Sequence, residues 1–367
     1  MRFKDIIPFN ISARPSAFGL DISDSSIKVV QLRKKGKNFD LKSFNRIPIP
    51  EGIIKEGEVK QEKKLIEIIK KSIDKVKGEP IKTPYAVCSL PEQNTFLKII
   101  QLPEMKIKEA KEAIKWETEA NIPLSLEEVY LDWRTISNKQ DVDHLNILIN
   151  AAPQKMVDKY LRVLRSADIE PVVFEIESVA TARSLIKNEL TPKPVLIIDI
   201  GSTRTSFIIF VENSIRFTSS ISVANQEMIN NIVKKLDVSQ EDAQSLKFKI
   251  GLDKKKKQGE VFNALLPSLV KLVNQIKDYV AFYKEHIQKA NGSQQEISKI
   301  ILCGGGAYLK GFPQYLSGRL KIPVSLGNPW INILKLPLKK IPDIPHRESL
   351  AYATVLGLAL RGIEVKC

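Results

Sequence analysis

Cysteine is scarce in this 367-residue chain: Cys88, Cys303 and Cys367 are widely spaced and odd in number. That argues against a disulfide scaffold and suits a reducing compartment. Histidine is equally rare, and His144, His286 and His346 do not cluster. No pair of these residues has zinc-ligand spacing, so a metal held by protein nitrogen and sulfur is not expected. Long hydrophobic runs are missing as well. A run such as Thr354–Leu360 falls far short of the ~20 apolar residues that cross a bilayer. Met1–Asn10 has basic residues but neither a long apolar core nor a small-residue cleavage site, so no signal peptide is expected. The phosphate-binding pattern G-x-x-x-x-G-K-[ST] is absent. No G-x-G-x-x-G forms around Gly304-Gly305-Gly306, which excludes the dinucleotide fingerprint there.

Acidic residues are in deficit. There are 57 Lys and Arg against 42 Asp and Glu, a net charge of +15. Such a balance fits nucleic acid, an anionic membrane surface, an acidic partner, or simply a lysine-rich solvated face. The lysines are spread along the chain among glutamates, and the densest run, Lys254–Lys257, follows Gly251 in a predicted loop. No basic stretch is interleaved with aromatics, so nucleic acid is not an expected partner. Hydrophobic content of 43% is that of a globular protein, and the length favours two domains, each with its own core.

What is present is a pattern that occurs twice. Phe18-Gly19-Leu20-Asp21-Ile22-Ser23-Asp24-Ser25-Ser26 and Leu196-Ile197-Ile198-Asp199-Ile200-Gly201-Ser202-Thr203-Arg204-Thr205 each run from an apolar strand through an Asp into small and hydroxyl residues. Each reads as a β-hairpin whose turn aims N–H groups and hydroxyls at one spot beside a carboxylate. Amides of that kind hold phosphate oxygens, and the Asp suits a Mg²⁺ ion, usually through water. Two such hairpins facing each other would clamp one triphosphate. Asp21 ends an apolar strand, where an uncompensated charge is costly.

The first half opens with strands at Ala17–Asp21, Ile27–Arg33 and Phe39–Ile47. A helix over Glu62–Lys77 is predicted by Leu65, Ile66, Ile69, Ile73 and Val76, and a strand over Tyr85–Leu90 follows. Phe96–Leu102, Lys108–Asn121, Val129–Ile136, Leu145–Ala151 and Lys155–Ala167 form a βαββα unit. Strand Val172–Ile176 and helix Ser178–Lys187 come next, and Thr191-Pro192-Lys193-Pro194 reads as a hinge or linker. The second half restarts with the second hairpin. Helices run from Asn225 to about His286, strand Ile300–Cys303 leads into the three glycines, and a small-residue helix spans Leu350–Arg361. The two halves look like an internal duplication of long period.

The paired hairpins, the Gly304–Gly306 turn and the terminal helix resemble the actin-like ATPase superfamily, which includes actin, the 70-kDa heat-shock chaperones, sugar kinases, MreB and FtsA. Three stretches narrow the resemblance to PilM-type proteins of type IV pilus assembly. These are Gly19–Leu32, then Leu102-Pro103-Glu104-Met105 with Glu109–Glu117 and Asn121-Ile122-Pro123, and Ala351–Gly362. The resemblance covers nearly the whole chain. It implies an α/β, actin-like two-lobed ATPase fold with duplicated ribonuclease H-like lobes. The first lobe would span residues 1–193 plus the helix 350–362, with an FtsA-like α+β subdomain inserted at about 96–169. The second would span 194–349, with a helical subdomain at about 225–290.

The same resemblance implies roles for single residues. Asp21 and Asp199 would face Mg²⁺, and Ser23, Ser25 and Lys28 would belong to the first phosphate turn, with the Asp24 side chain directed away. Ser23 stands where the superfamily usually has Gly. Gly201, Ser202, Thr203 and Thr205 would form the second turn. Glu177 matches the acid that positions water in hydrolysing relatives, where its alternative is a helix N-terminal acid favoured by the dipole. Gly304, Gly305, Gly306 and Ala307 match the adenosine turn. Gln244 and Lys247 fall where relatives have Ala-Glu-x-x-Lys, and Ala224 stands where many have Gly. The family implies a cytoplasmic ATP-binding protein at the inner-membrane face, with at most slow hydrolysis. It would grip the N-terminal cytoplasmic tail of PilN, work with other pilus platform proteins and assembly ATPases, and meet the membrane through its partner. The partner groove would lie where the inserted subdomain borders the first lobe. Competing readings are an FtsA- or MreB-type filament or membrane tether, and a sugar or acetate kinase, for which no substrate motif is found.

Overall fold

Phe18–Ile22 is apolar but for Gly19 and Asp21, and all five residues are buried, as in a strand covered on both faces. This strand, β1, leads the first of two units in the computed structural model, which describes residues 16–365 apart from 37, 104, 106, 137–143, 289–294 and 335–341. Met1–Asn10, Glu104 and Cys367, named above, lie outside the described residues.

β2 (Ser26–Lys35) and β3 (Asn38–Pro48) continue β1 as an antiparallel meander. The short hairpin β4 (Ile54–Lys55) and β5 (Glu58–Val59) precedes helix α1 (Glu62–Asp74), which buries Leu65 and Ile69. α1 stops short of the expected Lys77 because Lys77–Gly78 forms a strand, β6, on β3. β7 (Tyr85–Leu90) lies parallel to β1, and β11 (Glu170–Ile176) lies parallel to β7. The strand order is β11-β7-β1-β2-β3-β6. Between β7 and β11 the chain makes β8 (Phe96–Pro103), α2 (Ile107–Asn121), β9 (Val129–Ile136), β10 (His144–Pro153) and α3 (Gln154–Ser166). The three strands form their own sheet, β8-β10-β9, with its own core around Ile114, Ile147 and Ile149. α3 departs from the self-contained unit read in the sequence. Its Tyr160, Val163 and Leu164 join the first unit's core beside Leu65, Ile69 and Cys88.

α4 (Glu177–Leu185) follows β11 and ends before Asn188 and Glu189, whose φ angles of 54° and 50° cannot continue a helix. The Thr191–Pro194 stretch is no linker but the start of β12 (Thr191–Ile200). Thr191 pairs with Glu212, and the register shifts before Val195, where the prolines have no N–H to give. β13 (Thr205–Glu212) and β14 (Ser214–Ile221) complete a second meander. Helices α5 (Asn225–Leu236), α6 (Gln240–Lys249) and α7 (Glu260–Phe282) come next, then β15 (Lys299–Cys303), α8 (Phe312–Leu320), β16 (Val324–Leu326), α9 (His346–Ser349) and α10 (Ala353–Glu364). The second sheet is ordered β14-β13-β12-β15-β16, with β15 parallel to β12 and β16 parallel to β15.

Both sheets therefore share one plan: an antiparallel meander of three, then two parallel strands beside the meander's first. The described residues up to Arg183, Ile333 and Leu334, and those from Thr354 onward form the first unit. Ser184–Asn332 and the described residues from Pro342 to Ala353 form the second, so the division falls ahead of Lys193, where the sequence reading sets it.

Within the first unit α10 crosses α4 at Gly357, where a Cβ would run into the carbonyl of Ala180. Gly357→Ala is expected to cost about 2–3 kcal/mol by overpacking. Gly318→Ala, on α8 with nothing within 4 Å, serves as the control and should not lower the midpoint. Thermal midpoints of the two variants check this.

Candidate functional site

In the first unit the site grows from the β1–β2 turn. Asp21 and Lys28 are cross-strand partners in the register, and Lys28 Nζ donates to Asp21 Oδ2 at 2.8 Å. Ser89 Oγ, from the end of β7, donates to the other carboxylate oxygen at 3.0 Å and accepts from Ile22 N–H at 3.1 Å. Asp21 is 3% exposed and Lys28 9%, so a buried charge is paired and hydrogen-bonded. The turn closes through Ser23, whose N–H and hydroxyl both donate to Ser26 O at 3.0 Å. Ser23 needs no positive φ, so the lost Gly costs no backbone strain. Asp24 turns outward from this corner. Its carboxylate accepts from Glu56 N–H at 3.1 Å and Gly57 N–H at 2.9 Å, on the β4–β5 hairpin. Ser25 is partly exposed on the same turn, and its carbonyl accepts from Ile49 N–H at 2.9 Å.

Glu177 opens α4. Together with Asp24 and Asp21 it makes the surroundings of the buried Tyr160 hydroxyl negative, which after burial itself pushes that phenol's pKa upward. The first-unit acids singled out in the sequence thus all lie within electrostatic reach of one hydroxyl. Sequence reasoning missed Glu92, whose Oε2 accepts from Ser178 N–H at 3.3 Å at the α4 N-terminus. It also missed Ser89, whose only signal is a hydroxyl near the end of an otherwise apolar strand.

The second unit repeats the corner with different chemistry. Asp199 sits opposite Ser206 on β13 and beside Cys303 on β15. The buried Cys303 thiol hydrogen-bonds Asp199. Burial first, then that carboxylate's charge and the hydrogen bond, hold the thiol well above its usual pKa. Cys303 therefore stands to Asp199 as Ser89 stands to Asp21. Gly201 N–H donates to Arg204 O at 2.9 Å, and a Cβ on Gly201 would lie 2.8 Å from that carbonyl, so close approach explains the glycine. The carbonyls of Gly201 and Ser202 accept from Asn225 and Gln226 N–H at 3.1 and 3.0 Å, at the start of α5. Thr203 is exposed at the tip. Thr205 is fully buried, and its hydroxyl donates to Val223 O at 2.6 Å, so it braces the loop before α5. Asn225 Oδ1 is buried beside this turn without a hydrogen-bond partner among the described residues.

Gly304 has φ of +81°, and a Cβ there would collide with the Asp199 carboxylate and the Ile200 carbonyl. Gly306 packs on Ile200 in the same way, whereas Gly305 is exposed, with only Ala351 Cβ near a built Cβ at 3.8 Å. The turn thus offers bare backbone on its open side. Ala307 is buried at its end. Lys247, 3% exposed, donates from Nζ to Gly306 O at 3.0 Å and Tyr308 O at 3.4 Å. It draws the turn's carbonyls toward α6. Gln244 lies one helical turn earlier and is exposed.

Each unit thus presents a carboxylate, a hydroxyl-rich turn and, in the second, a glycine turn with room for a flat group. Those residues fit a nucleotide with a divalent cation. In the first unit the partly exposed Ser23 and Ser25 are the groups of the turn open to phosphate, while the buried Lys28 and Asp21 are bonded to each other. The orphaned Asn225 oxygen and the bare face of Gly305 are the matching features of the second.

The two sheets of like topology, each carrying an aspartate turn at the same place, define an actin-like fold. A solved structure described as the PilM-PilN type IV pilus biogenesis complex is similar over 95% of this chain and 99% of that chain, at 26% identity and a TM-score of 0.79. MreB5 of Spiroplasma citri bound to AMPPNP has the same fold, with a TM-score of 0.55 and 15% identity over 95% of this chain and 96% of that one. The cell division protein FtsA of Buchnera aphidicola is 22% identical over 232 residues, 58% of this chain and 54% of that protein. FtsA of Pseudomonas aeruginosa is 23% identical over 217 residues, 55% of this chain and 50% of its own length. The chain thus spans about half the length of the curated relatives it matches. The family described as type IV pilus assembly protein PilM matches residues 19–363, and this chain belongs to that family.

Burial lowers the Lys247 pKa from 10.5 to about 8. Between those values the unfolded chain holds a proton that the folded chain has released, so stability rises with pH there. Wild type should gain stability relative to Lys247→Met between pH 8 and 10. Urea midpoints at both ends check this, and parallel curves would refute the burial of a cation.

Proposed function

We propose that this protein is the ATP-binding scaffold of the type IV pilus inner-membrane platform and that its first unit grips the N-terminal cytoplasmic tail of PilN. The supporting observation is a cleft of about 230 Å³ between the inserted sheet and the edge of the first unit's sheet. Its floor is Leu90, Ala152 and Phe174, part of one apolar cluster with Tyr130 and Val157. β11 lines one wall as the edge strand of its sheet, and an edge strand offers backbone groups to an extended segment. The other wall carries Asn150, whose buried Oδ1 has no hydrogen-bond partner among the described residues. An N–H of a bound peptide supplies one.

The cleft is fixed before a partner arrives. Arg183 grips Glu175 through two bonds at 2.5 and 2.7 Å and donates to Gly357 O at 3.2 Å. The wall that faces a peptide is thereby tied to both α4 and α10. Among the described residues no helix is long and apolar enough to cross a membrane. Attachment to the cytoplasmic face of the inner membrane is then the work of PilN, and further platform proteins and assembly ATPases dock on the complex.

ATP with Mg²⁺ is the nucleotide this reading assigns. Its candidate contacts in the first unit are Asp21, Ser23, Ser25 and Lys28. In the second unit, taken by itself, they are Asp199, Gly201, Ser202, Thr203 and the Gly304–Ala307 turn, with Thr205 and Lys247 as braces and Gln244 as the candidate ribose contact. Glu177 is the carboxylate that orients water in any hydrolysis, which is slow in a scaffold. Nucleotide shifts partner affinity only if it binds two states unequally, and that is its role here.

Asp21→Ala and Asp199→Ala should each weaken Mg-ATP binding about ten-fold or more, read by calorimetry, on the scale of ~1.4 kcal/mol per decade. Unchanged affinity in both would remove ATP from the assignment. Asn150→Leu should leave the free protein as stable or more so, because an orphaned polar atom is gone. It should weaken a fluorescein-labelled PilN tail peptide several-fold in anisotropy titrations. Equal peptide affinity would place the groove elsewhere.

A further inference from the structure

The Asp24 carboxylate and the Tyr160 hydroxyl hold one small hairpin from opposite sides. Asp24 leaves the phosphate turn and accepts from Glu56 and Gly57 N–H at 3.1 and 2.9 Å. Both residues have positive φ, 53° and 74°, so successive N–H groups converge on the carboxylate. From the other side Tyr160 of α3 donates its hydroxyl to Gly57 O at 3.0 Å. Asn94, just ahead of β8, donates to Glu56 O at 2.8 Å. The hairpin tip is therefore bonded to the phosphate turn, to α3 and to the entry of the inserted subdomain.

α3 in turn reaches the cleft. Val157, less than a turn before Tyr160, lies in the apolar cluster that floors it. Asp158 accepts from Tyr130 OH of β9 at 2.8 Å. One short stretch of helix thus carries three attachments: to the hairpin, to the insert's edge strand and to the cleft floor.

We infer that the Asp24–Gly57–Tyr160 latch couples the phosphate turn to the partner cleft, with Asp24 and Tyr160 as positioning residues that touch neither ligand. The inference rests on the nucleotide and peptide reading given above and specifies its regulation. A displacement of the Ser23–Ser26 turn moves the Asp24 carboxylate. The hairpin follows because two N–H groups are bonded to that carboxylate, and α3 follows through Tyr160. Tyr160 is 1% exposed, and burial with nearby Glu177, Asp24 and Asp21 keeps its hydroxyl protonated, a permanent donor. A contact graph alone does not make a coupling route, and the physical warrant is a coupling free energy that disappears with the bond.

The experiment is a coupling cycle on the full chain. Affinity for the labelled PilN tail peptide is measured with and without Mg-ATP, and Mg-ATP affinity with and without peptide. The two ratios must agree by linkage. Wild type should give a ratio of about five-fold or more. Tyr160→Phe, which removes one oxygen and keeps the packing, should bring the ratio close to one while the peptide and Mg-ATP each still bind. Asp24→Ala should do the same, Asp24→Asn should restore part of the ratio, and the double variant Asp24→Ala/Tyr160→Phe should be no worse than either single change. A wild-type ratio of one with both ligands bound overturns the latch and leaves the binding sites standing. A full wild-type ratio in Tyr160→Phe also overturns it. Failure of wild type to bind the peptide or Mg-ATP at all sinks the functional reading itself, and the latch with it.

Discussion

A carboxylate buried at the end of an apolar strand is the constraint around which the first unit is organised. An isolated charge at Asp21 would be costly, and the chain meets that cost with an ammonium and a hydroxyl, at 2.8 and 3.0 Å. The pair also specifies register. Asp21 and Lys28 face each other across β1 and β2, and a slip of one residue would send them to opposite faces. The turn between the strands, and every group it presents, is therefore placed by an electrostatic requirement in the core. Asp199 stands at the same place in the second unit, half-buried rather than buried. Its cross-strand partner is Ser206, and its neighbour is the Cys303 thiol. The two corners share a topology and differ in charge: a lysine pairs with the first aspartate, and a serine and a cysteine flank the second.

The second unit spends its buried lysine differently. Among the described residues Lys247 pairs with no carboxylate. It binds the carbonyls of Gly306 and Tyr308 and orders the glycine turn from behind. The arrangement accepts a desolvated cation so that a loop without side chains keeps one shape. Gly304, pressed against Asp199 and Ile200, couples that turn to the aspartate corner by contact. The glycine turn and the aspartate corner of this unit are thus parts of one packed object.

The duplicated corners and the sheet strands beside them were legible in the sequence, because buried strands announce themselves by continuous aliphatic runs bounded by turns. Val129–Ile136 and Tyr85–Leu90 form strands at the predicted bounds. What was not legible depended on partners far away in sequence. Thr191–Pro194 reads as a linker until Glu212 pairs with it. The end of α1 is decided by Phe44, which draws Lys77 into a strand. α3 looks like a helix of the insert because its amphipathic pattern does not say which core its apolar face meets. At the site, residue types were legible and their duties were not. Thr205 was read as a ligand contact, yet its hydroxyl is fully buried on Val223 O. Lys247 was matched to a family motif by spacing alone, and its ammonium proves to bind the turn's carbonyls. Glu175 is the anchor of Arg183, a duty set only when β11 and α4 pack together.

The cleft poses a problem that its own construction answers. An exposed edge strand such as β11 invites pairing with any extended chain, and proteins blunt such edges or cover them. Here the inserted sheet stands over the edge and leaves a narrow opening. The insert is joined at Pro91 and Pro153, both extended, with φ of −60° and −57° and ψ near 128°. Proline at both joints removes φ freedom where a hinge would otherwise be loose. The width of the opening is then set by how α3 packs, because α3 follows Pro153 directly and is wedged into the first core by Tyr160, Val163 and Leu164. The hydrogen bond from Tyr160 to Gly57 ties that helix to the hairpin that the β1–β2 turn holds through Asp24. The helix that places the cover over an edge strand is thereby the same one that is bonded, through the hairpin, to the turn beside Asp21.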